Sequence, residues 1–467
     1  MAHLTRWKRR LQADLLIHPD IDEALSPTVI EDLCRRAGHA WRTSFWSPAM
    51  TLTTFLLQVL DGAKTLRAAV ALLLTHLAAR GDVRLPSCDP AAYCQARRRL
   101  PLRAAVGMLE HVTGRARGLV EGPATWLGRR VYVVDGSSVS MPDTPELQKA
   151  FPQPSGQKPG CGFPVARFVA VFCWTTGMIL HVAIDALGRH EMGLFRSLWG
   201  VFQAGDVVLG DRAYSAYVDM ARLLQRQVFC IFRLHQRRKA DFRTGRRLGR
   251  GDHRVLWKRP RSWMASMGIS RQEFAELPET LTVRLVRITE VPRGFRSRTV
   301  IVVTTLTDPR ETPADEIRAL YRDRWTAELN LRSLKEDLGM GVLRGQSPDV
   351  VHKEIVMHLL AYNLIRLLMW HAAARHGRDL RRLSFAGTLH RLRALLPLLV
   401  QRPDCRTLRR LGDFLLASIA ADRVPDRPGR FEPRRRKRRP KEYSLLIRPR
   451  RWYQLHGDRG GRWLQAI

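Results

Sequence analysis

The chain has 467 residues, 45% of them hydrophobic, with 79 Lys plus Arg against 43 Asp plus Glu and a formal net charge of +36. That length and apolar content exclude wholesale disorder and leave room for roughly two to four domains. The charge surplus implies a polyanionic partner, nucleic acid first. No run approaches 18 uninterrupted apolar residues; stretches 68–79 and 357–374 are short or carry an Arg and read as buried helices, so no membrane partner is expected. The N-terminus lacks the apolar core of a signal peptide. Seven cysteines, odd in number and with no Cys-x-x-Cys pair, argue against structural zinc and a disulfide framework and fit a reducing cytoplasm, where the charge surplus would hold the protein to the nucleoid through DNA.

Residues 1–125 read as helical, from the Ser-Pro start at Ser26 to the region holding "QARRR" at 95–99, a basic edge. At Val131 the period changes. "VYVVD" (131–135), "FVAVFCW" (168–174) and "MILHVAID" (178–185) predict three strands. A helix over 190–203, the strand "DVVLGD" (206–211), a helix near 215–226 and the strand "VFCIFRL" (228–234) follow, so 126–234 begins a mixed α/β sheet. Residues 235–305 interrupt it: basic and Gly-rich at first, then two alternating β runs. Helix returns over 306–420, and 421–467 form a basic tail.

Two apolar strands each end on an aspartate, Asp135 and Asp211, and an acid at a strand's C-terminal end projects into the crevice where α/β sheets place ligands. A third acid, Glu328, lies in "YRDRWTAELNLRSLK" (321–335). On one continuous helix at about 100° per residue, Tyr321, Arg324, Glu328 and Lys335 would share a roughly 60° arc. Three carboxylates from separate segments meet the needs of two Mg²⁺ ions, hard cations that prefer oxygen and that clamp the attacking and leaving oxygens of a displacement at phosphorus. Arg324 and Lys335 would hold flanking phosphates. Singly, each acid is as well explained as a strand-end Asp or a solvated i,i+4 partner; their order in so basic a chain is what points to chemistry.

The spacing Tyr321-x2-Arg324-x3-Glu328-x6-Lys335 resembles the Tyr-Arg-Glu-Lys signature of the insertion-sequence-four family of DDE transposases. "VVDGSSVSMPDTPE" (133–146) and "GDRAY" (210–214) resemble that family's two aspartate blocks, and the likeness extends over about residues 45–420. It implies a ribonuclease-H-like mixed sheet with flanking helices, interrupted by a mostly β insertion, and an N-terminal helical DNA-binding region. It further implies cut-and-paste transposition with Asp135, Asp211 and Glu328 as the metal-binding triad, two Mg²⁺ ions (Mn²⁺ as a substitute), and excision through hairpinned ends. Tyr321, Arg324, Lys335 and Arg212 would contact DNA. The partners would be double-stranded DNA, both transposon ends and target, and a second copy in a homodimer. A structure-specific endonuclease on the same core, or a catalytically silent DNA-binding derivative, are the alternatives.

Other residues remain open. Glu191 is either a helix-start Glu or a fourth acid near the metals. "SGQKPGCGFP" (155–164) lacks the spacing of a phosphate loop and reads as a loop beside Asp135, with Lys158 facing DNA; Ser137 and Ser138 lack a nucleophile elbow and read as a turn. Between Arg237 and Arg261, eleven Lys/Arg face two acids, with Phe242 and Trp257 interleaved, a pattern for a phosphate track with base stacking. Trp257, flanked by Arg254, Lys258 and Arg259, is preferred over Trp263 as an aromatic for an extruded base; insertion core is the alternative for both.

Overall fold

The computed structural model describes residues 23–63, 65–78, 85–120, 125–290, 298–400, 405–424 and 446–456. Its centre is a nine-stranded sheet in the order β3-β2-β1-β4-β5-β9-β8-β7-β6 among these residues. β1 (Val131–Ser140), β2 (Val165–Cys173) and β3 (Ile179–Ala186) form an antiparallel meander, and β4 (Val207–Gly210) and β5 (Phe229–Arg233) run parallel to β1. This is the ribonuclease-H-like arrangement. The central parallel strands are apolar on both faces because helices cover both: Val131–Val134 and all of β4 are buried.

The insertion is continuous with that sheet. β6 (Arg246–Gly249), β7 (Asp252–Lys258), β8 (Thr280–Glu290) and β9 (Arg298–Thr304) add four antiparallel strands, joined to the core where Ile231 of β5 faces Thr304 of β9. Alternation assigns the two faces. Val133, Leu209 and Ile231 face one core cluster; Val134, Val208 and Cys230 face the other.

The first face carries most of the helices: α1 (Pro27–Arg36), α2 (Pro48–Asp61), α3 (Leu66–Ala78), α4 (Ala91–Arg99) and α5 (Leu102–Val120) from the N-terminal region, α3 and the start of α4 around a small cluster of their own. Beyond the short α6 (Pro145–Ala150), α7 (Glu191–Ser197), α8 (Tyr217–Gln225) and α9 (Arg271–Ala275) cover the second face. α10 (Ala314–Arg322), α11 (Trp325–Arg332), α12 (Pro348–His376), α13 (Phe385–Val400) and α14 (Cys405–Ala421) return to the first.

α12 is long and apolar enough to cross a membrane, but 89% of its most apolar window is buried in the fold. It serves as the axis of the helical layer. Its Asn363 closes the edge of β3, accepting from Ile179 N (2.9 Å) and donating to Ile179 O (2.7 Å), so the edge strand has fewer open ladder groups. The expected basic tail lies mostly outside the described residues. Its segment 446–456 lies against the 155–164 loop, where Arg450 donates to the carbonyls of Gly160 (2.7 Å) and Gly162 (2.6 Å).

Candidate active site

β1 and β4 pair in parallel through Val131↔Val207, Tyr132↔Val208 and Val133↔Leu209. Asp135 and Asp211 each stand two residues past the last pair. Period-two alternation therefore aims both carboxylates to the side that Val133 and Leu209 face, and adjacent strands lie only about 4.8 Å apart. Asp211 keeps an extended backbone (φ −81°, ψ −176°), so the alternation reaches it.

One expectation needs correction. Asp135 does not end its strand: β1 runs to Ser140, and Asp135 faces Ala170 of β2. What ends is the pairing with β4, which turns away at Arg212–Tyr214. The crevice lies at the end of the parallel pair rather than of the strand.

Glu328 comes from α11, which packs on the same face and is tied down at both ends. Asp323, just before it, accepts from Trp174 Nε1 (3.0 Å) and Arg381 Nη1 (2.5 Å). After it, the chain returns to the tip of β1: Ser140 N donates to Gly341 O (3.1 Å) and Leu343 N to Ser140 O (2.9 Å).

The single continuous helix expected over 321–335 is not present. α10 stops at Arg322, and the junction is wound more tightly, with Arg324 N bonding Tyr321 O and Ala327 N bonding Arg324 O. Residues Ser333–Asp337 form a π turn. Tight and loose turns change the angle per residue, so the uniform arc is lost. Tyr321 is buried, while Arg324 and Glu328 keep a common face and are bonded at 2.7 Å. Lys335 sits half-buried in the π turn.

The charges of these groups are felt across the site. Burial pushes the Asp135 carboxyl up to about 6, against the pull of the Gly136 N–H (2.9 Å) and of Arg324, while Glu191 and Glu328 add to the push. Burial likewise raises the Tyr321 phenol to about 12, with Arg324 opposing and Asp211 reinforcing the rise. Asp211 Oδ1 is buried and has no protein partner. Buried acceptors are rarely left in that condition, and a missing cation is one explanation of such an exception.

Glu191 belongs to this set, and the sequence left its role open. It starts α7 on the opposite face of the sheet. A Cβ on Gly136 would stand 2.7 Å from the Glu191 carboxyl carbon, so only glycine admits this side chain against β1 behind Asp135. Tyr214 donates to Glu191 Oε1 at 2.5 Å and holds it there. A glycine immediately after the first aspartate was the available signal.

The remaining candidates are spread more widely. Arg212, in the turn after Asp211, donates to Gln236 Oε1 (2.8 Å). Trp257 lies on β7, half-buried against the second core, with the Arg238 guanidinium 4.0 Å from its ring centroid. Arg259 is held by the carbonyls of Phe274, Ala275 and Leu277, and Trp263 donates to Ile269 O (2.7 Å). An aromatic that sequence reasoning passed over is Trp325, 58% exposed on α11 between Arg324 and Glu328, with exposed Leu329 one turn on.

The donor chemistry suits a hard divalent cation: carboxylate oxygens throughout, with one buried oxygen that has no hydrogen-bond partner. Among the described residues no three His, Cys, Asp or Glu side chains already surround one point as metal ligands, and Glu328 is engaged by Arg324.

A family model described as "Transposase DDE domain" matches residues 126–364, which includes all three acids and the insertion. The chain is 27% identical over 380 residues to transposase InsG for insertion sequence element IS4 of Escherichia coli (strain K12), covering 79% of this chain and 82% of that one. It is 35% identical over 65 residues to a putative transposase, y4zB, of Sinorhizobium fredii (strain NBRC 101917 / NGR234), covering 14% and 18% of the two chains. A solved piggyBac transposase in a synaptic complex with hairpin DNA aligns at 10% identity over 86% of this chain and 84% of that one, with a TM-score of 0.42, too loose a likeness to bear on the assignment. The chain belongs to the DDE transposases of the insertion-sequence-four family, DNA-binding, DNA-cleaving enzymes that use divalent metal ions.

Proposed function

We propose that this transposase binds the terminal inverted repeats of its insertion sequence and catalyses strand cleavage and strand transfer in cut-and-paste transposition. Asp135, Asp211 and Glu328 would hold two Mg²⁺ ions, with Mn²⁺ able to substitute. The observation that carries this reading is the register of the first two acids, side by side beyond Val133↔Leu209 and beneath Glu328. When bound, the ions supply charge neutralisation at the phosphoryl oxygens and a lowered pKa for the attacking hydroxyl.

The chain's own groups position the DNA. Arg324, paired with Glu328, can add a second contact to a phosphate beside the scissile one, because a guanidinium has five donors. Tyr321, Lys335 and Arg212 would serve as further phosphate contacts. The N-terminal helices add affinity for end DNA, and two copies bring two ends together as a homodimer. For an unstacked terminal base, Trp325 is a better platform than Trp257. Its indole is exposed beside Glu328, whereas Trp257 is half-buried and overlaid by Arg238.

The test is incubation with a duplex carrying the DNA that flanks the coding sequence, with Mg²⁺ and a target plasmid. Breaks at the element boundary together with joined products support the proposal. Breaks without joining indicate an endonuclease, and neither product indicates a silent DNA-binding protein.

A further inference from the structure

A cavity of about 270 Å³ lies where the N-terminal helices meet the start of α12, away from the three acids. Its wall includes Gln58 of α2, Cys94, Arg97 and Arg98 of α4, and Arg344 and Glu354 at the other side. Arg97 is the unusual member. Arg97 is only 7% exposed, its guanidinium lies 3.8 Å from the Phe55 ring centroid, and among the described residues the one hydrogen bond of its side chain is a long 3.4 Å contact to the neutral Gln58 Oε1. Its Nε has no partner.

Glu354, the acid in the same wall, makes no direct bond to it. Both Glu354 oxygens are taken by backbone: Arg344 N reaches each at 3.0 Å, and Gly345 N donates to Oε2 at 2.7 Å. Glu354 thereby fixes the loop that presents Arg344. Gly345 is required for that closeness, since a Cβ there would stand 2.9 Å from Val351 N. Lys353, one position before Glu354, donates to the carbonyls of Arg97 and Arg98 (3.4 and 2.9 Å) and pins the end of α4.

A buried guanidinium without a carboxylate is costly, and structures retain one where an anion completes it. The exposed Arg98 and Arg344 flank the mouth. Planar guanidinium groups converging on a polar cavity suit a phosphate better than a carboxylate-bearing side chain when the partner is a polyanion.

We infer that this cavity receives a backbone phosphate of the DNA, at a subsite separate from the catalytic crevice, and that it locks the N-terminal helices to the DNA held by the core. The inference rests on the proposed DNA-end function. Arg97 would supply the buried contact; Arg98 and Arg344 would close over the phosphate from the rim.

Arg98→Gln and Arg344→Gln are the test variants, chosen because both residues are exposed and their loss spares the core; unchanged thermal melting confirms this. Binding to the flanking-repeat duplex is measured across salt concentrations, together with ethylation interference on the same duplex. The expected result is about a tenfold loss of affinity in the double variant and a log K against log salt slope shallower by about one unit. One phosphate whose ethylation blocks the wild type should no longer matter to the variant. Identical slopes and interference patterns would overturn the inference while wild-type cleavage still upholds the DNA-end function. Loss of all wild-type end binding would instead remove the function on which it rests. Competition by millimolar inorganic phosphate at this site without any effect of the variants on DNA would also overturn it, assigning the cavity to a free anion.

Discussion

Asp252, on β7, and Asp211, just past β4, belong to strands four apart in the same sheet and have opposite surroundings. Asp252 on β7 is gripped by Arg284 through two bonds of 2.7 and 2.6 Å, and the fully buried Arg284 spends another donor on Thr312 O (2.6 Å). Asp206 and Asp219 are treated alike, by Arg130 and Arg196. Asp211 keeps a buried oxygen with no protein partner, and Asp135 has a backbone N–H and a raised pKa in place of a cation of its own. These three acids are neutralised internally; the end of the parallel pair leaves charge to be completed from outside. That contrast separates acids that hold the fold from acids proposed to act.

The contrast breaks most visibly under substitution. Asp135→Asn, Asp211→Asn and Glu328→Gln should each lower metal-dependent cleavage at least about a thousandfold, the scale expected when one member of a set acting as a unit is lost. The fold and end binding should be retained, because phosphate contacts elsewhere supply most of the affinity. A gel assay of cleavage beside a binding titration checks both, and any variant within tenfold of wild type removes that acid from the set. Asp252→Ala should do the reverse. Stranding Arg284 in the core should cost about 3–5 kcal/mol in denaturant unfolding, with cleavage by the protein that remains folded unchanged.

A smaller effect sharpens the same distinction. With divalent metal chelated, the folded pKa of Asp135, about 6, stands above its ordinary 3.8. The folded state then holds a proton that the unfolded chain releases between those values. Stability from this carboxyl is full below about pH 3.8 and is lost as pH rises through 6. Asp135→Asn should therefore stabilise the protein on the order of 2 kcal/mol at pH 8 and hardly at all at pH 4. Equal stability of wild type and variant across that range would refute the account of Asp135. Smallest is the cation effect: Arg324→Ala and Lys335→Ala should each flatten the salt dependence of end binding by about one unit or less.

Much of this was legible in the chain because it is local. An apolar run followed by an acid marks β1 and β4, and the spacing from Tyr321 to Lys335 survives any change in helix winding. What was hidden depends on distant partners. "GSSVS" after Asp135 has turn composition, yet it stays in β1 because β2 pairs with it residue by residue as far as Val165. The π turn at Ser333–Asp337 accompanies a return to Ser140 that no helical pattern announces. The slot at Gly136 needs Glu191, 55 positions later, to be recognised as a slot. The basic edge at 95–99 was visible as charge, but only packing against Phe55 reveals that Arg97 points inward.

The central claim is that the three acids gather metal at the end of the parallel pair. Iron-mediated hydroxyl-radical cleavage of the polypeptide tests it most directly: Fe²⁺ replaces Mg²⁺ in the complex with end DNA, peroxide and ascorbate are added, and the cut sites are mapped. The account predicts cuts confined to the neighbourhoods of Asp135, Asp211 and Glu328, competed away by Mg²⁺ and lost in Asp211→Asn but kept in Asp252→Asn. Cuts at other segments, or cuts near these three that persist in Asp211→Asn, would contradict it.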